Sequence, residues 1–168
     1  MRDNYDALKT EGRNPNTMNI DKVSTLEAMR LMNEENKRVP EAIDTQLEEI
    51  AKAVDLIAAA MERGGHLIYV GAGTSGRLGI IDAAECPPTF GVDHQLVRGI
   101  IAGGDGAMFR AVENAEDNEE WGKRAIDEDG VQPGDVVVGI SAAGRAPFVL
   151  GALKRAREIG ATPIGVTC

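Results

Sequence analysis

The chain is 168 residues long, enough for one ordinary domain with a real core, and its 27 acidic against 18 basic residues give a formal charge of −9. Such a field repels nucleic acid and anionic membrane, so any anion must be held by a local site. No apolar run is long enough to span a bilayer, and the polar start Met1-Arg2-Asp3-Asn4 has no signal-peptide core, which makes a cytoplasmic location the expectation. Cys86, Cys168, His66 and His94 show neither disulfide nor zinc spacing, so no metal site is expected.

Residues 1–20 are polar, carry Asn14-Pro15-Asn16, and read as an extended arm. Ser24-Thr25-Leu26-Glu27 is a capping box that opens a short helix through about Asn36. Pro40 then stands where a first helical residue can be, and Ile43, Leu47, Ile50, Val54, Ile57 and Met61 make one stripe of a long helix ended by Gly64-Gly65. The expected use of that stripe is packing on a sheet or on a second subunit. On this reading, 1–62 form an arm with helices and 63–168 a separate domain.

That domain alternates strands with helices. A strand over 66–70 leads through a glycine turn to a helix carrying Leu78, Ile80, Ile81, Ala83 and Ala84, stopped by Pro87-Pro88. A second strand over 97–102 enters Gly103-Gly104-Asp105-Gly106, followed by a helix through Phe109, Val112 and Ala115 toward the acids Glu113, Glu116, Asp117, Glu119 and Glu120. Trp121 begins or continues a further helix, and Gln132-Pro133-Gly134-Asp135 is a turn. A strand over 136–140, a helix over 146–159 stopped by Gly160, and a strand over 163–167 complete the chain. The pattern predicts an α/β fold, a parallel sheet with right-handed crossovers and helices on both faces. Because the chain ends on a strand, its last edge reads as unfinished, and a fragment incomplete at the C-terminus is expected.

Two stretches carry the functional signal. Val70-Gly71-Ala72-Gly73-Thr74-Ser75-Gly76-Arg77 aligns without gaps on Val138-Gly139-Ile140-Ser141-Ala142-Ala143-Gly144-Arg145. Each follows an apolar run and precedes a helical pattern, so two turns of the same kind are expected at the carboxyl edge of the sheet, where open α/β folds bind ligands. Such a turn leaves helix N-terminal N–H groups available to an anion, glycine allows close approach, and Thr74 and Ser75 add donors. The plainer alternative is that the glycines merely make tight turns. Arg77 and Arg145 either neutralise a phosphate or cover neighbours and pair with a carboxylate. Gly71, Gly73 and Gly76 also fit the dinucleotide pattern, but Asp105 lies too far on, behind two glycines, to hold a ribose.

Thr10-Glu11-Gly12-Arg13-Asn14, Ile20-Asp21, Gly71-Ala72-Gly73-Thr74-Ser75-Gly76-Arg77-Leu78-Gly79, Ala84-Glu85-Cys86-Pro87-Pro88-Thr89 and Ile101-Ala102-Gly103-Gly104 together resemble the N-acetylmuramic acid 6-phosphate etherase family. The resemblance implies the sugar isomerase (SIS) fold, a flavodoxin-like parallel sheet, in a cytoplasmic, cofactor-free homodimer about twice this length. It also implies a lyase of cell-wall sugar recycling that cleaves the lactyl ether to N-acetylglucosamine 6-phosphate and D-lactate. The implied catalytic carboxylates are Glu85, as proton donor, and Glu116, as base; apolar neighbours on both sides of Glu85 suit burial and a raised pKa. Substrate binding is carried over to Gly73, Thr74, Ser75 and Gly76 and, in the second turn, to Ser141, Gly144 and Arg145.

The second turn departs from the family, which usually has a serine before that glycine and often a threonine after the arginine; here they are Ala143 and Ala146. Each lost charge-assisted hydrogen bond weakens phosphate binding by roughly 1.5–3 kcal/mol. The resemblance also admits a non-catalytic reading, since the fold serves in regulatory proteins that sense sugar phosphates, the glucokinase regulatory protein among them. The 168-residue chain is expected to bind weakly or not at all, and a longer form to catalyse.

Overall fold

The computed structural model describes residue 10 and residues 12–168, and contacts divide the chain into two compact units, Met1–Ala53 and Val54–Cys168. The expected arm lies partly outside the described residues; within them, Pro15–Thr17 and Ile20–Lys22 form short 3₁₀ turns rather than extended chain. Asn14 and Asn16 donate to the Glu35 carboxylate at 2.7 and 2.8 Å, and these bonds, that from Asn16 foremost, hold its carboxyl below the usual range. Helix α1 (Thr25–Asp44) starts at the predicted cap, where the Ser24 hydroxyl accepts from Glu27 N at 3.3 Å.

Pro40 does not start a helix; it lies inside α1. Its φ is already helical, and the cost falls on one ladder bond of a helix with no buried residue. The break comes instead at Thr45, whose hydroxyl donates to Ala42 O at 2.7 Å, and α2 (Leu47–Glu62) follows. The predicted stripe is thus shared between two helices. Gly64, at φ +83°, ends α2 with Gly65 N donating to Ala60 O at 2.9 Å.

In the second unit four parallel strands, β1 (Leu67–Gly71), β2 (Val97–Ile101), β3 (Val136–Ile140) and β4 (Thr162–Val166), lie in the order β2-β1-β3-β4. This is the order of the first four strands of a flavodoxin-like sheet. Alternation along the strands divides the core. Ile68, Val70 and Val137 face one layer with Ile126, Phe148, Val149 and Ala152 of α4 (Glu119–Asp129) and α5 (Pro147–Glu158). Leu67, Val136 and Val138 face the other, with Ala83 of α3 (Gly73–Phe90) and Ala60 of α2. Of the predicted stripe, Ile57 and Met61 pack on this second cluster, while Ile43, Leu47, Ile50 and Val54 are exposed.

Two predicted boundaries move. Helix α3 runs through Pro87 and Pro88 to Phe90, ending at Gly91 with φ +67°. Both prolines fall in its last turn, where each withholds a ladder donor from the carbonyl four residues before it, of Ala83 and Ala84, and the helix ends within three residues. The helix expected through Phe109 does not form. Gly103 and Gly104, at φ +89° and +72°, and Asn114, at φ +59°, bend the backbone left-handed on both sides of it. A 3₁₀ turn (Asp105–Met108) and open loop result, with Phe109 91% exposed.

Helices α4 and α5 meet through glycine. A Cβ on Gly122 would lie 1.8 Å from Phe148 O, and one on Gly151 2.0 Å from Glu119 O. Replacing Gly122 by Ala is therefore expected to cost about 2–3 kcal/mol through forced separation of the helices, measured as a lower denaturation midpoint at unchanged slope.

Candidate active site

Strands β1 and β3 pair at the centre of the sheet with Gly71 opposite Ile140. Their chains leave at the same level of the carboxyl edge, toward β2 on one side and β4 on the other. The two predicted turns therefore stand side by side on one rim, at the point where strand order switches and open α/β sheets form a ligand crevice.

The first turn separates two roles of glycine. Gly71 and Gly76 interlock: a Cβ on Gly71 would lie 2.5 Å from Gly76 N, and one on Gly76 2.7 Å from Gly71 O. Gly73, at φ +53°, has open space around it and is required by backbone conformation. Helix α3 begins there, behind Ala72, with no side-chain cap. Its first intrahelical bond is Gly76 N to Ala72 O at 3.4 Å, so the amides of Gly73, Thr74 and Ser75 have no intrahelical acceptor. Thr74 is exposed and Ser75 half-buried, and neither hydroxyl is engaged among the described residues.

The second turn is not of the same kind, despite the gap-free match. Its left-handed residue is Gly144, at φ +66°, with Gly144 N donating to Ser141 O at 2.9 Å. Helix α5 starts only at Pro147, whose fixed φ suits a first helical position and delays the helix past the point where α3 begins. Ser141 turns its hydroxyl to this helix start, accepting from Ala146 N at 3.5 Å. Ala146 is the cap residue of α5 and has no side chain to cap with. Arg145 is exposed.

Next to the first turn a cleft of about 240 Å³ is lined by Gly73, Arg77, Ala107, Glu113, Glu116 and Asp117, among others. Glu116 is held there by its own backbone: Ala115 is buried in the core, and Glu116 O accepts from Phe148 N at 2.9 Å. Arg77 is half-buried, and its Nε and Nη2 donate to Met108 O at 2.9 Å and Ala107 O at 2.6 Å. Of the two readings of this arginine, the structure favours the one in which it covers and binds its neighbours.

Glu85 is elsewhere. Ala83 faces the core while Glu85, two residues and about 200° further round α3, is exposed. The burial that its apolar neighbours implied does not occur. It lies about 18 Å along the helix from Gly73 and does not line the cleft that holds Glu116. A single chain thus brings together Gly73, Glu116 and Arg77 but not the two carboxylates.

Sequence reasoning did not find the Tyr69–Asp82 contact. Burial, and then the Asp82 carboxylate, push the Tyr69 phenol far above its ordinary value, so it stays protonated as a donor. Gly79 makes room for this ring, since a Cβ there would lie 2.6 Å from Tyr69 Cβ. Among the described residues, no cluster of three or more metal-ligating side chains occurs and no helix is long and apolar enough to cross a membrane.

The strand order and the two rim turns are those of a flavodoxin-like ligand-binding protein, and the family match given below makes it a protein of the SIS fold. Phosphoheptose isomerases from Neisseria gonorrhoeae and Francisella tularensis have similar folds: TM-score 0.65 for each, at 23% and 19% identity, covering 84% and 86% of this chain and 73% and 75% of theirs. Residues 49–157 match the glucokinase regulatory protein N-terminal SIS domain, and the chain belongs to that family. N-acetylmuramic acid 6-phosphate etherases from Clostridium beijerinckii and Caldanaerobacter subterraneus subsp. tengcongensis are 53% and 55% identical to it over 98% and 97% of its length. That from Cronobacter sakazakii is 53% identical over 98%. The resemblance carried by the Gly71–Thr89 block is borne out. The chain spans about half the length of these relatives, 54%, 53% and 56% respectively.

Proposed function

We propose that the chain serves a lyase that removes lactate from N-acetylmuramic acid 6-phosphate. The observation that carries this reading is Glu116 in the switch-point cleft, beside the uncapped start of α3, in a chain so similar to etherases. The sugar phosphate binds with its anion on the amides and hydroxyls of the first turn, and Ser141, Gly144 and Arg145 border it from the second.

In the ring-opened sugar, Glu116 takes the C2 proton beside the aldehyde. Glu85 protonates the C3 ether oxygen as that bond breaks, releasing D-lactate. Water then adds to C3 of the unsaturated aldehyde, giving a proton to Glu85, and Glu116 returns its proton to C2. The product is N-acetylglucosamine 6-phosphate, and both carboxyl groups end as they began. No cofactor enters. Since Glu85 lies outside the cleft of its own chain, the pair works across a homodimer, Glu116 from one copy and Glu85 from the other. The setting is cytoplasmic peptidoglycan recycling, with 1–62 as the accessory segment and 63–168 as the sugar-phosphate domain.

The test is lactate release from N-acetylmuramic acid 6-phosphate by the 168-residue chain and by a form carrying the second half found in the relatives. Release by the longer form, with little or none from the short one, is expected. Equal turnover by the short chain refutes the dependence on the second half, and none from either refutes the lyase. The match to a regulatory protein's domain and the outlying Glu85 favour a second reading, a sugar-phosphate sensor. Binding of N-acetylglucosamine 6-phosphate without lactate release from the longer form selects it.

A further inference from the structure

The segment between β2 and α4 hangs from few points. Its start is tied by Ala102 N to Gly71 O at 3.0 Å, and its end by the Glu116 O bond to Phe148 N at 2.9 Å. Between them lie two left-handed glycines, a 3₁₀ turn and the exposed stretch from Phe109 to Asn114. A segment so built opens locally at low cost unless something else fixes it.

Between Gly103 and Asn114 only the small side chain of Ala107 is buried, and Arg77 supplies the polar tie. The carbonyls of Ala107 and Met108 close the 3₁₀ turn, and the last carbonyls of any helical turn lack internal donors and carry partial negative charge. A guanidinium reaches both at once, at 2.6 and 2.9 Å, with two N–H groups set in a rigid fork. An ammonium on the shorter-reaching lysine stem is a point donor and does not reproduce that fork. The same arginine sits at the start of α3, so the turn that precedes that helix and the loop that bears Glu116 are joined through one side chain.

We infer that Arg77 is a positioning residue that clamps the 102–117 loop and thereby sets Glu116 against the first glycine turn, and that it is not the ligand of the substrate's phosphate. The assignment of Glu116 as base rests on the function proposed above; the clamp itself does not.

The test compares wild type, Arg77→Met and Arg77→Lys in the 168-residue chain by hydrogen–deuterium exchange and by titration with inorganic phosphate. In Arg77→Met, amides of 104–117 are expected to exchange at least about tenfold faster, with those of β1 and β3 unchanged; Arg77→Lys gives an intermediate value. Phosphate affinity is expected to change less than about threefold. Unchanged exchange in the loop overturns the clamp, and a loss of phosphate affinity of tenfold or more overturns the exclusion of Arg77 from the anion. Should Arg77→Met lose the protection of β1 and β3 as well, the Arg77→Lys comparison decides: a loop as protected as wild type overturns the inference. Where the wild-type 168-residue chain binds no phosphate, as its length leads one to expect, the same titration of wild type and Arg77→Met in a form carrying the second half found in the relatives decides the exclusion; absence of binding by that longer wild-type form counts against the proposed function, and the exchange result decides the clamp.

Discussion

Glu116→Gln, in a form carrying the second half found in the relatives, is expected to abolish hydrogen exchange at C2 of the sugar and to lower lactate release at least about a hundredfold. Gln keeps the size and polarity of the side chain on a loop whose backbone is tied by Ala115 and Phe148, so the fold should be intact and substrate still bound. Glu85→Gln is expected to spare C2 exchange while stopping loss of lactate, since it removes the proton for the leaving oxygen and not the base. The two inactive variants offer a sharper measurement when mixed. If Glu85 and Glu116 act across copies, random reassortment makes half the dimers mixed, each with one complete site, and about a quarter of wild-type activity returns. If both act within one chain, each mixed dimer has only defective sites and nothing returns.

Asp135→Ala is expected to destabilise the second unit by about 3–5 kcal/mol. Asp135 is 2% exposed. Its Oδ1 accepts from His66 N at 2.9 Å and lies 3.0 Å from His66 Nδ1, and Oδ2 accepts from Gln132 N at 2.8 Å. Alanine leaves two backbone N–H groups without acceptors where β1 and β3 begin. Asparagine keeps one carbonyl-type oxygen and turns an NH₂ toward a donor, so Asp135→Asn should lose roughly half as much. Urea titration of both variants gives the measurement, and a loss below about 1 kcal/mol for alanine would contradict the account. These residues lie at the amino edge of the sheet, opposite the cleft, so phosphosugar affinity should not change.

The sheet was legible because both faces are covered: apolar β-branched runs between glycine punctuation leave little choice but parallel strands. The rim placement of the two turns followed from that topology. Helix continuity was not legible at Pro40 or at Pro87-Pro88, because proline opposes a helix by only a ladder bond and local sterics, and neither place is crowded enough to enforce a break. The loop through Phe109 misled for the opposite reason. Its apolar spacing is helical, but Gly103, Gly104 and Asn114 take left-handed conformations that outweigh periodicity. The likeness of the two turns was real in residues and not in conformation, since Gly73 and Gly144 place their positive φ at different points along the match. Glu116 stood out only through the family resemblance; in a run of acids no pattern distinguishes it. Arg77's partners are thirty and thirty-one residues away along the chain and are backbone atoms, which carry no sequence signal at all.

The interlocked pair Gly71 and Gly76 has one more implication. With each backbone resting where the other's side chain would be, the corner has almost no room to breathe, so its amides hold their spacing whether or not anything is seated on them. A guest anion would then forfeit little of its binding energy to ordering the host, and selectivity would come from the geometry of its oxygens rather than from accommodation. The rigidity also works against repair: a methyl group at either glycine has to displace main chain, so no compensating change in a neighbouring side chain should restore the corner.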